Sequence, residues 1–469
     1  MLLRAGLGAT AALVSATKDT AARSCDGLHV NGSLSYDEDI RAAAAHDFGA
    51  ILHRAPRAVL TPVSPDDIVS LMRWAADHGV RVAARGQGHS TYGRAQAEDG
   101  IVIDMSALST IHQIRPDRIV VDAGATWNSV FEATLGRGLT PPVLTNYLGL
   151  SVGGTIVVGG IGGSSSRHGM QTDHVLELDV VTGDGRAVTC SPDSEPELFD
   201  AVRGGLAQCA LIMRATLRLM PAPQRVRRFQ LFYPDLPSLT ADQQRALSED
   251  RFDQLQGAIL PDPAGGWKYL LEGAVLYSGD KAPDDKTVLG SLSDDRSIAV
   301  VTDSDYRQDA LAFARLEATL RSRGLWSSPQ PWLFTFLPAP SAERVAGEIL
   351  GGLSGRELGP FGRIAFYPIR TDAVRTPLVR LPDADIAFPL NVVRIGASTD
   401  AQTTDRMTAQ NRMIYDRIRS AGGVQYPVSA LPMSSEDWQD HFGARWPQLR
   451  AAKRRYDPAN LLTPGYNLF

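Results

Sequence analysis

The sequence predicts an α+β fold with more than one domain. Segments of strand and helix pattern are mixed along the chain instead of repeating as strand–helix–strand units. The 469 residues exceed the usual domain length of roughly 100–200, so two or three domains are expected. Pro221-Ala222-Pro223 reads as a boundary, and the character of the segments changes beyond it.

The elements follow in chain order. Thr61-Pro62-Val63-Ser64-Pro65-Asp66-Asp67 reads as a turn and a helix start. Ile68, Leu71, Met72 and Ala75 then recur at helical spacing until Gly79 closes the helix. A short strand at 81–84 runs into Gly86-Gln87-Gly88-His89-Ser90. Strands are expected at 101–105 and 119–121, and a helix at 127–137 ending at Gly138. Residues 143–169 are glycine-dense. The strands 175–182 and 187–190 flank the tight turn Gly183-Asp184-Gly185 and form a hairpin. Residues 196–203 read as a helix and 210–220 as an alternating strand. Past the boundary, 268–278 and 363–367 read as strands, and 307–321 and 405–421 as long amphipathic helices. This second unit of α+β character spans about 200 residues. The last piece, from Trp438, is a helix followed by Asp457-Pro458 and Thr463-Pro464-Gly465. No repeat with a period of about 20–50 residues is visible.

Composition excludes several classes. A hydrophobic share of 43% and a charged share of 21% are those of a globular protein, not of a disordered chain, collagen or coiled coil. Cys25, Cys190 and Cys209 are too few and too scattered for a disulfide scaffold. No Cys/His cluster is present, so no metal site is expected. A net charge of −5 argues against a nucleic-acid partner. No apolar run reaches about 18 residues, so no membrane-spanning helix is expected. The N-terminal run, Arg4 followed by Ala, Gly and Leu up to Ser15-Ala16, is similar to a weak or truncated export signal. A cytoplasmic location is favoured, with export left open.

Glycine is the unusual number: 43 of 469 residues, about 9% against the ordinary ~7%. The excess gathers at 86–93 and 149–169. Alternating glycines in Arg85-Gly86-Gln87-Gly88-His89-Ser90 let successive backbone N–H groups face one anion. This is not a GxGxxG fingerprint and no helix clearly starts there, so a Rossmann site is not indicated. In the second run Leu148, Leu150, Val152, Ile156, Val157 and Val158 are interleaved with the glycines. That is too apolar for a surface loop and suits a chain wrapped around a large flat ligand.

These segments resemble the two-part FAD-binding domain of the vanillyl-alcohol-oxidase type (PCMH-type), and within it the cytokinin dehydrogenases. The similar stretches are Arg-Gly-Gln-Gly-His-Ser at 85–90, Tyr-Leu-Gly-Leu-Ser-Val-Gly-Gly-Thr at 147–155, Arg-His-Gly at 167–169, residues 175–185 and residues 198–206. Pro331-Trp332-Leu333, Phe366-Tyr367-Pro368, Gln425-Tyr426 and the C-terminal ending extend the likeness over nearly the whole chain from about residue 45. The resemblance implies an α+β FAD domain of two subdomains plus an α+β substrate (cap) domain. It divides the chain into an N-terminal segment 1–45, an FAD domain 46–222, a substrate domain 223–424 and a returning segment 425–469. It further implies FAD held covalently through His89 and non-covalently by Gly86, Gln87, Gly88, Ser90, Arg94, Asn146, Ser151, Gly153, Gly154, Ile161, Ile212, Tyr426 and Tyr466.

Three positions depart from that family. Asn146 stands where cytokinin dehydrogenases carry an aspartate that takes a proton from the substrate amine. An amide can hydrogen-bond but cannot serve as that base. Tyr466 and Arg94 each replace a glutamine, and an arginine there favours an anionic group. No cysteine lies where a second flavin link would form, so Cys209 is expected in the core. Asn146, Glu272, Tyr426 and Tyr367 are the candidate catalytic residues. The implied activity is FAD-dependent oxidation, with hydride taken from a small amine or other natural product. Two alternatives stay open: a non-redox cyclase acting on a polyketide-like substrate, with FAD as a wall of the pocket, and an inert binding protein on the same scaffold. Oligomeric state is unspecified.

Overall fold

The computed structural model describes residues 25–398 and 400–469. The N-terminal export reading falls on residues outside that range. Among the described residues no helix is long and apolar enough to cross a membrane.

The first half of the chain builds two sheets. In one, Ala58–Thr61, Ile101–Asp104 and Val82–Arg85 run parallel, and Ser33–Ser35 adds antiparallel on the outer edge. Ser33–Ser35 thus belongs to this sheet, and the helix Glu38–Ala44 packs on the strand Ala58–Thr61. The anchor of this edge is Asp67, whose carboxylate accepts the backbone N–H groups of Asn31 at 2.6 Å, Gly32 at 3.2 Å and Val63 at 2.8 Å. The helix Pro65–His78 lies where the periodicity places it, and Gly79 ends it at φ 64° in the left-handed region. The other sheet is antiparallel, in the order Ile111–Arg115, Arg118–Asp122, Ala210–Arg218, Val175–Thr182, Ala187–Cys190. The glycine-dense run contains two short helices, Val152–Ile156 and Ser165–His168, that its glycine content concealed.

After Pro221 the strand Arg225–Tyr233 enters a nine-stranded sheet that forms the second layer of the molecule. Its central strands are Trp267–Tyr277, Gln254–Pro261, Arg363–Phe366 and Ile386–Val393. Alternation divides them into two faces. Leu255, Leu271 and Phe366 belong to the buried core on one side, where the helices Leu236–Ser248 and Ala339–Gly352 also pack. The other face turns toward the first half of the chain. The single helix expected over 307–321 is two, Tyr306–Ala310 and Ala312–Ser322. The break has a cause in packing. Tyr306 shares a 3.0 Å hydrogen bond with Thr140, and Asp309 is clamped by Arg228, while Leu311 leaves the helix at ψ 9°.

The chain ends by returning to the first sheet. Val82 donates to Leu461 and accepts from Thr463, each at 2.9 Å. Cys25, Cys190 and Cys209 are all buried free thiols, and burial pushes the Cys209 thiol up to about 12.

Candidate active site

A cavity of about 370 Å³ lies between the first half of the chain and the inner face of the nine-stranded sheet. The loop 86–90 opens it at the C-terminal end of the strand Val82–Arg85. Gly88 sits at φ +63°, a conformation that L side chains rarely adopt, and a Cβ there would run into Arg85. A Cβ on Gly86 would collide with the Ser151 side chain, so the two glycine segments touch only because Gly86 has none. Asp47 braces the loop, accepting Ser90 Oγ at 2.9 Å and the N–H of Gly93 at 2.5 Å. Burial raises its pKa, and its Oδ1 has no hydrogen-bond partner among the described residues.

His89 projects from this loop into a group of rings. Its centroid is 3.9 Å from Phe48, 4.9 Å from Tyr147 and 5.7 Å from Trp326. Burial, with Arg321 nearby, pushes its pKa down to about 3, so the imidazole is neutral and keeps a free lone pair at pH 7. Asn146 also faces the cavity, and its side chain is exposed there. The ring of Tyr147 lies over Gly149, where a Cβ would clash, and its hydroxyl donates to Glu317 Oε1 at 3.2 Å. Burial and Glu317 push the Tyr147 phenol up to about 12.

The second glycine segment supplies the floor. Gly160 donates its N–H to the Tyr426 hydroxyl at 2.8 Å, and a Cβ on Gly160 would strike Gln171. Arg94 is 6% exposed and forms no ion pair with a carboxylate among the described residues. Its guanidinium donates to the carbonyls of Leu431 at 3.0 Å and Gly465 at 3.3 Å, lies 4.8 Å from the Tyr466 ring, and leaves Nε unpaired. Burial holds the Tyr466 phenol up at about 12. A desolvated cation, two backbone cradles that exclude Cβ atoms and a neutral imidazole form a site suited to a large anionic, aromatic cofactor.

From the other side the sheet contributes Glu272, Gln256, Arg363, Tyr367 and Asn391. Burial pushes Tyr367 up to about 12, so it is a neutral hydroxyl. The helix Ala312–Ser322 and the segment after it close the top with Phe313, Leu316 and Trp332.

Of the residues expected from sequence, Gly86, Gln87, Gly88, His89, Ser90, Arg94, Asn146, Ser151, Gly154, Ile161, Glu272, Tyr367, Tyr426 and Tyr466 line this one cavity. Two do not. Gly153 packs its backbone on Ala123, and Ile212 lies buried in the strand Ala210–Arg218 opposite Val180. Sequence reasoning passed over Asp47, Phe48, Trp326 and Asn391. The first three lie far from the loop they surround and carry no local signal. Asn391 had one: it is a polar residue within the apolar strand Ile386–Val393.

Comparison with known proteins agrees with this architecture. Residues 56–191 match the FAD binding domain family, and residues 258–469 match the family described as cytokinin dehydrogenase 1, FAD and cytokinin binding. The fold and site thus define an FAD-binding protein of the vanillyl-alcohol-oxidase (PCMH) type. An uncharacterised oxidoreductase of the fasciation locus of Rhodococcoides fascians is 42% identical over 439 residues, covering 94% of this chain and 99% of its own. Cytokinin dehydrogenase 10 of Oryza sativa subsp. japonica is 35% identical over 492 residues, covering 94% and 89%. The chain belongs to the FAD-linked oxidoreductase family that contains the cytokinin dehydrogenases. The crystal structure of 6-hydroxy-D-nicotine oxidase from Arthrobacter nicotinovorans shares the fold, with a TM-score of 0.74 at 21% identity over 95% of this chain and 99% of that one.

Proposed function

We propose that this protein oxidises a small amine, with FAD linked covalently through His89 and held by Gly86, Gln87, Gly88, Ser90, Ser151, Arg94 and Tyr466. The carrying observation is the convergence of His89, Asn146 and Glu272 on one cavity. Bound FAD supplies the two-electron acceptor. The protein supplies orientation and the proton inventory. The neutral His89 ring offers the lone pair that a covalent link needs. Asn146 presents a neutral amide to the substrate, which orients a hydrogen-bonding group without taking a proton from it. Glu272 is the one carboxylate among the described residues that line the cavity, so it is the group placed to accept the N–H of an amine. Phe313, Leu316, Trp332 and Phe334 exclude water from an apolar substituent. The name of the rice relative points to cytokinin-type amines as the first substrates to try.

The test has two stages. Purified protein is expected to be yellow, with colour that stays on the chain after acid precipitation and is released by His89→Ala. Colourless protein with no affinity for FAD would sink the reading. Anaerobic mixing with the amine is then expected to bleach the flavin band near ~450 nm, and Glu272→Gln to slow that step about 100-fold or more. The neutral Asn146 keeps the cyclase reading in play. Turnover of a substrate without bleaching and without oxygen consumption would favour it.

A further inference from the structure

The sheet face toward the cavity is polar, and two of its groups have unspent hydrogen-bonding capacity. Arg363 Nη1 lies 3.8 Å from Glu272 Oε2. That is an ion pair, but too long for a direct hydrogen bond. Neither side chain makes a hydrogen bond to another described residue. Other arginines of the same sheet are hydrogen-bonded to carboxylates. Arg228 donates to Asp309 at 2.8 and 2.7 Å and to Gln254 at 3.0 Å. Arg227 makes two bonds to Asp285, at 3.0 and 2.6 Å. Arg363 alone among these presents its planar fork to a cavity, beside the apolar groups Phe361, Val393 and Ile395. Its side chain is 40% exposed and none of its donors is taken by another described residue, so the fork is accessible to a ligand.

We propose that Arg363 anchors an acidic group, a carboxylate or a phosphate, carried by the substrate. A guanidinium fork matches the paired oxygens of either anion. Glu272 by itself would repel an anion. The gap between the two side chains leaves both free to turn to a dipolar ligand, with its N–H on Glu272 and its acid on Arg363. Asn391 and Gln256, from neighbouring strands, add neutral donors and acceptors on the same face. The role of Glu272 rests on the amine reading above, whereas the anion site stands on Arg363 alone.

The experiment is calorimetric titration of the FAD-loaded protein with two matched pairs: adenosine 5′-monophosphate against adenosine, and benzoate against benzamide. At least one acid is expected to bind about tenfold or more tightly than its neutral partner, which also tells phosphate from carboxylate. Arg363→Gln is expected to erase that preference while leaving the neutral partner unchanged, and Arg363→Lys to retain part of it and so exclude simple misfolding. Equal binding within both pairs in the wild type would overturn the proposal. So would a preference that survives Arg363→Gln but is lost in Arg94→Gln, because the anion would then sit at the cofactor end. Failure of the amine reading looks different: the anion preference persists, but no amine bleaches the flavin.

Discussion

At the scale of the residue, the site turns on two nitrogen-bearing side chains whose ordinary chemistry is withheld. Asn146 cannot take a proton. If a missing base is all that separates this pocket from its relatives, Asn146→Asp is expected to speed anaerobic flavin reduction by a cytokinin-type amine about 100-fold. No gain would mean that the pocket itself accepts a different substrate. His89 is kept neutral by burial, and so is His441, under the rings of Trp438 and Phe442. Both are pushed from the ordinary 6.5 down to about 3. Below 6.5 the unfolded chain takes up protons that the folded chain refuses, so stability falls progressively from pH 6.5 toward 3. At about pH 5 each histidine contributes a loss of about 2 kcal/mol. Urea unfolding at pH 7 and pH 5 measures this, and His441→Phe is expected to remove about half of the difference.

At the scale of the element, the helix Ala312–Ser322 is unlike its neighbours. Leu320 is its buried residue, while Phe313 and Leu316 line the cavity, Phe313 with its ring 5.3 Å from that of Tyr147. It is held to the first half of the chain by the Tyr147–Glu317 hydrogen bond and the Tyr147–Phe313 ring contact, reinforced by Arg321, which donates to Glu317 at 2.8 Å and lies 4.7 Å over Trp326. Local opening should therefore precede global unfolding here. Tyr147→Phe is expected to leave the melting temperature within about 2 °C while raising amide exchange across 312–322 by about fivefold, the effect of losing one hydrogen bond of about 1 kcal/mol. Hydrogen-exchange mass spectrometry checks both halves of that statement. Uniform acceleration across the chain would show that the helix is not a separate unit. The helix also marks a limit of sequence reading. The amphipathic period over 307–321 is real, but the break at Leu311 is imposed by Thr140 and Arg228, which approach from elsewhere in the chain.

At the scale of the whole molecule, the last residues lock the cofactor side together. Lys453 and Asp457 form a buried pair at 2.6 Å, and Asp457 also accepts the N–H groups of Leu461 and Leu462. This turn aims Leu462 and Thr463 at Val82, and brings Gly465 and Tyr466 to Arg94. Removing one partner of a buried pair leaves the other charge uncompensated. Asp457→Ala is expected to cost about 3–5 kcal/mol in denaturant unfolding, and to lower FAD content in the purified protein. Normal stability with normal FAD content would contradict the locking role.

The sequence by itself determined much of the local structure and picked out the two glycine segments that line the cavity. Period-3.6 and period-2 patterns read out the helix Pro65–His78 and the strands Val175–Thr182 and Trp267–Tyr277, because a buried stripe or face repeats at short range. The two glycine segments were legible because backbone that must approach a ligand excludes Cβ within a few residues of chain. The tertiary structure alone decided which side chains share the cavity. Glu272 and Arg363 are 91 positions apart in the chain, and only the strand order that places Gln254–Pro261 between them brings their charges to 3.8 Å. The rings around His89 come from Phe48, Tyr147 and Trp326. Their meeting depends on packing between distant segments, and no local pattern encodes that.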